Sequence, residues 1–84
     1  MIVDRCVSRN PMAVLVAGYL VGIGFVVNVY DMVICSYVMV EHGGGRVTIA
    51  VDDLFVEIGG KKFEYADPGL FDAIDDYVLE YFEV

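Results

Sequence analysis

The stretch L-F-V-E-I-G-G-K-K-F-E-Y, residues 54–65, decides the fold. Gly59-Gly60 supplies the two positive-φ positions that a tight two-residue turn requires, and short alternating runs flank it on both sides. With the turn there, Glu57 falls opposite Lys62 on one face as a cross-strand ion pair. Val56 falls opposite Phe63 and Leu54 opposite Tyr65 on the other. Opposite charges on one face and apolar side chains on the other describe an antiparallel hairpin with one buried face.

Upstream, Arg46–Val51 (R-V-T-I-A-V) alternates as a strand, with Val47, Ile49 and Val51 on one face, and Asp52-Asp53 makes the turn after it. Gly43-Gly44-Gly45 reads as a loop. Ile23–Tyr30 and Met32–Glu41 read as two buried strands broken near Asn28–Asp31. Asn10-Pro11 is a helix-start signal, a capping residue followed by Pro at the first helical position. Met12–Val21 then reads as a short buried helix ended by Gly22 and Gly24, although so short an apolar run also fits a strand. Downstream, Asp67-Pro68 repeats the start signal. Leu70, Phe71, Ile74, Tyr77, Val78, Tyr81 and Phe82 share one side of a helical wheel. The expected fold is α+β and a single domain over residues 1–84. It is a small antiparallel sheet of four to five strands with a C-terminal amphipathic helix on one face and, at Met12–Val21, a short N-terminal helix.

The 84-residue chain is 58% hydrophobic, with six Tyr and five Phe, so it has the means to build a core. Its net charge of −8 lies in one half. Residues 1–40 balance Asp4 and Asp31 against Arg5 and Arg9, while residues 41–84 set eleven acids against Arg46, Lys61 and Lys62. Direct binding to nucleic acid or to an anionic membrane surface is disfavoured, because phosphate affinity comes from Lys and Arg. Positively charged partners are favoured. Cys6 and Cys35 lack CxxC spacing and read as free thiols of a reducing compartment, which points to the cytoplasm.

Asn10–Tyr30 carries no charge and is long enough to cross a bilayer, and Gly18 and Gly22 have the spacing of packed membrane helices. Against a span stand sixteen Val to five Leu, three glycines between residues 18 and 24, and apolar character that continues through Met32–Val40. A soluble fold is the expectation, with a single-span protein bearing an acidic soluble tail as a rival.

The chain offers little for catalysis. Its one histidine, His42, has no Ser or Cys in its sequence neighbourhood. His42-Gly43-Gly44-Gly45 matches an oxyanion string of some esterases, but the G-x-S-x-G elbow is missing. Glu41, His42, Asp52 and Asp53 show no metal-ligand spacing. No catalytic residue, metal or cofactor is expected.

The charge of the final helix is the remaining signal. Asp72, Asp76, Glu80 and Glu83 fall opposite its apolar side, without a basic residue in the helix. Like charges four residues apart repel, and Glu80 and Glu83 sit at the negative end of the helix dipole. Such a face serves solubility, and it also suits a ligand for a basic protein. Asp52 and Asp53 are the next candidates for that surface, with Glu57, Glu64 and Asp67 extending the field. In size and charge the chain resembles the small acidic inhibitors of phages and mobile elements, the anti-CRISPR and anti-restriction mimics of nucleic acid. The resemblance is one of general character and carries no motif. It implies a non-enzymatic inhibitor or adaptor that occupies a basic, nucleic-acid-binding groove. A structural subunit that buries its apolar half in a homodimer is the rival from another class.

Overall fold

Asn10 starts the first helix as its sequence position implies, and its Oδ1 accepts from the backbone N–H of Met12 (2.9 Å) and Ala13 (3.3 Å). In the computed structural model, which describes residues 8–83, helix α1 runs Pro11–Ile23 and ends at Gly24, φ +122. Five strands follow: β1 (Val26–Asp31), β2 (Ser36–His42), β3 (Gly45–Val51), β4 (Phe55–Ile58) and β5 (Lys61–Glu64). Helix α2 (Leu70–Phe82) completes the described chain. The strands form one antiparallel meander in the order β1-β2-β3-β4-β5. The α+β expectation holds, with five strands and both helices present.

The Gly59-Gly60 turn has φ +58 and +86, and the register it sets places Val56 opposite Phe63 and Glu57 opposite Lys62, as read from the sequence. Gly43 and Gly44 repeat that geometry at φ +59 and +86, so the expected triple-glycine loop is a two-residue turn with Gly45 already in β3. Three boundaries differ from the sequence reading. β1 begins three residues later because α1 continues to Ile23. β2 begins at Ser36 because Met32–Cys35 turns the chain, with Val33 and Ile34 exposed at its tip. α2 begins at Leu70 rather than behind Asp67. The Asp67 carboxylate accepts from the Gly69 N–H (2.8 Å), which makes a turn ahead of the helix. Leu54 and Tyr65 do not pair: Leu54 is exposed, and the Tyr65 hydroxyl donates to the Asp52 carbonyl instead.

Strand alternation divides the residues between two faces. One face buries Val27, Val38, Val40, Val47, Ile49, Val51, Val56 and Ile58 against Ala13, Val16, Ala17 and Leu20 of α1 and Leu70, Ile74 and Val78 of α2. Each buried Val, Leu or Ile contributes about 1.5–3 kcal/mol over exposure. The helices lie side by side on this face, α1 over β1 and β2 and α2 over β3 and β4. Among the described residues nothing covers the other face, which presents Tyr30, Tyr37, Ala50, Glu57 and Lys62 in one row across all five strands.

The uncharged run 10–30 is therefore shared between a helix and a strand. At about 1.5 Å per residue α1 spans roughly 20 Å, short of the ~30 Å hydrocarbon core. Among the described residues no helix is long and apolar enough to cross a membrane. That removes the single-span helix from Asn10–Tyr30.

Candidate functional site

Burial of Leu70, Ile74 and Val78 fixes which side of α2 faces outward. Asp72, Asp76 and Glu80 follow at intervals of four on that side, and all three are exposed. Glu83 is also exposed but stands past the last helical residue, in the left-handed conformation (φ +57). The row is thus three helical carboxylates plus a fourth at the cap. Asp76, Glu80 and Glu83 nonetheless line one shallow recess with Leu79. Lys61, the first residue of β5, borders a second recess with Asp76 and Glu80, so among the described residues a cation flanks the stripe.

Aromatic side chains lock α2 over the sheet's glycine turns. The Tyr77 ring lies on Gly59, where a Cβ would come within 3.0 Å of Cε1. Phe82 lies on Gly45 and stacks with Phe25 (5.7 Å between ring centres) and His42 (5.5 Å). His42 is accordingly part of an aromatic cluster at one end of the fold. Tyr81, expected on the apolar side, is 54% exposed, with its ring edge-on to that of Phe82 (5.2 Å between ring centres).

The other candidates do not join the stripe. Asp52 is half-buried, and its Oδ1 accepts from the N–H groups of Phe55 (2.6 Å) and Leu54 (2.8 Å). Those bonds hold its carboxyl below the ordinary range and commit it to the β3–β4 turn. Asp53 is exposed and borders a recess with Arg9, Asn10, Val33 and Tyr65, away from the stripe. Glu57 and Glu64 lie on the uncovered face, opposite the helices. Glu57 stands across from Lys62 as the register required, and the Lys62 ammonium lies 5.9 Å from the centre of the Phe55 ring. The acidic half of the chain therefore has three charged regions in place of one continuous surface. The densest of them is on α2.

Asp75 is the acid that sequence reading passed over. It is half-buried on the flank of α2 facing α1, and its Oδ2 accepts from the Tyr19 hydroxyl at 2.6 Å. The contact follows from the packing of α1 beside α2, where the rings of Phe71 and Tyr19 meet at 5.0 Å, and no sequence signal marks it. At the sheet's other end Asp31 accepts from Ser8 Oγ (2.5 Å), Ser36 Oγ (2.6 Å) and the Arg9 N–H (3.0 Å). Among the described residues no group of three His, Cys, Asp or Glu side chains is placed to hold a metal ion. Comparison with protein-family models, curated proteins and solved structures finds no match.

Proposed function

We propose that this chain is a non-enzymatic inhibitor or adaptor, acting in the cytoplasm, that presents α2 to the basic groove of a nucleic-acid-binding protein. The observation that supports the reading is the exposure of Asp72, Asp76 and Glu80 on a helix without a basic residue, with Glu83 exposed at its cap. The helix is held from beneath by its core residues, so its backbone sets the spacing of the row. Successive helical carboxylates rise about 6 Å, close to two nucleotide steps of about 3.4 Å each. A preorganised row of that spacing suits an Arg/Lys groove built for phosphates, with fast and salt-sensitive association. In this reading the protein acts as anti-CRISPR or anti-restriction mimics do.

The test is capture by the immobilised chain from extracts of its source cell. A nucleic-acid-binding protein is expected to be retained at about 50 mM salt, released by about 200 mM, and displaced by added DNA or RNA. The double variant Asp76→Lys/Glu80→Lys is expected to retain nothing. Equal retention by that variant overturns the reading.

A further inference from the structure

Among the described residues, β1 is the unguarded edge of the sheet. The opposite edge, β5, carries Lys61, Lys62 and Glu64 within four residues, and such charge blunts edge-to-edge pairing. β1 reads V-V-N-V-Y before its first charge at Asp31, and among the described residues no strand flanks its outer side. The Met32 N–H donates to the Cys35 carbonyl at 2.8 Å and closes the β1–β2 turn. Bonded and non-bonded pairs alternate from there, so Tyr30, Asn28 and Val26 bond β2. Val27, Val29 and Asp31 turn their N–H and C=O groups outward.

α1 lies over that same edge. Its Tyr19 side faces α2 through Phe71 and Asp75. By the helical wheel, Val14 and Val21 occupy the flank away from Tyr19, and Gly18 stands beside them on the outward side, where it lines a recess with Val14, Tyr19 and Phe71; all three are exposed. No residue of α1 is charged. A helix that is apolar all round is a helix whose outer face calls for cover.

We propose that β1 pairs antiparallel with β1 of a second copy across a two-fold axis at Val29. Two five-stranded sheets become one of ten strands, and α1 packs on its counterpart through Val14, Gly18 and Val21. With strands about 4.8 Å apart, a helix seated over β1 and β2 stands about 10 Å from its two-fold mate, close to the 8–10 Å at which helices pack. The junction thereby continues the rhythm of one helix per two strands that α1 and α2 already follow. Gly18 and Gly22 have nothing within 4 Å of where a Cβ would stand, which leaves room for close approach. Charge favours a second copy at this flank. A chain of net −8 meets itself without opposing carboxylates where charge is lacking, and α1 with β1 as far as Tyr30 lacks it. The dimer leaves α2 on the far side of each α1 and does not draw on the reading of its carboxylates.

Sedimentation equilibrium of the full chain, with amide hydrogen exchange at Val27 and Val29, tests the dimer. Wild type is expected at twice the 9.3 kDa chain mass with both amides protected. Gly18→Lys adds a Cβ where nothing lies within 4 Å, improves helix propensity and lowers the net negative charge. It is expected to sediment as a monomer with a wild-type circular dichroism spectrum and at least tenfold faster exchange at both amides. Val29→Pro, which removes an outward-facing N–H, is expected to give a monomer from the strand side. A monomeric wild type overturns the proposal, as does a dimer that survives both substitutions. Protected Val27 and Val29 amides in a monomer mean that the chain covers its own edge, and overturn it too.

Discussion

The Tyr19 hydroxyl donates to Asp75 Oδ2 at 2.6 Å, the one side-chain hydrogen bond between the two helices among the described residues. α1 carries no charge and α2 carries four acids, so this bond joins two helices of opposite character along their shared flank. Tyr19→Phe keeps the ring contact with Phe71 and removes the bond. A loss of about 1 kcal/mol is expected in urea unfolding, below the roughly 1.5–3 kcal/mol of a bond to a charged group because both groups are only half-buried. The bond, burial and the charges of Asp75 and Asp72 raise the phenol above its ordinary 10.0. The stability it contributes is therefore complete below pH about 10 and is lost as pH rises through the folded value. Wild type is expected to lose its advantage over Tyr19→Phe in that range.

Asp31 gives the opposite dependence. The hydroxyls of Ser36 and Ser8, the Arg9 N–H and the Arg9 charge hold its carboxyl down from 3.8 to about 2. Its contribution is present in full above pH about 4 and is lost as pH falls through about 2. Carboxyl-carbon NMR titration is expected to find that midpoint in wild type and a rise toward the ordinary value in Ser36→Ala. An unchanged midpoint in the variant counts against the assigned cause.

Gly59 and Gly60 share one turn and differ in surroundings. A side chain at either position strains a positive φ, but only at Gly59 does the new Cβ also meet the Tyr77 ring, at 3.0 Å. Gly60→Ala is expected to cost about 1–2 kcal/mol from backbone strain alone. Gly59→Ala is expected to cost more, and combination with Tyr77→Ala to remove the excess. Chemical denaturation of the three variants measures this.

The stripe on α2 is expected to oppose stability. Asp72 with Asp76 and Asp76 with Glu80 are like charges four residues apart, each pair costing about 0.2–0.5 kcal/mol, and no basic residue stands in the last turn. Asp76→Lys/Glu80→Lys is thus expected to raise the unfolding midpoint while losing partner capture. A variant that loses both points to damage in the fold.

Local features were legible because neighbours in the chain produce them. Gly59-Gly60 sets the turn and with it the Val56–Phe63 and Glu57–Lys62 registers. Asn10-Pro11 sets the start of α1. The same signal misplaced α2, since Asp67-Pro68 spends its carboxylate on the Gly69 N–H before the helix begins. The stretch 32–35 has the apolar residues of a buried strand, yet Val33 and Ile34 form an exposed tip.

The sequence by itself determined the α+β pattern, the Gly59-Gly60 hairpin and the outward side of α2, since turn chemistry and periodicity act within a few residues. Only the tertiary structure decided how the acids divide. Strand pairing sends Glu57 to the uncovered face, the β3–β4 turn engages Asp52, and the packing of α1 beside α2 draws Asp75 to Tyr19. It also decided that α1 lies over β1 with an apolar flank beyond the sheet edge. Those outcomes depend on contacts between residues distant in sequence, which no local pattern encodes.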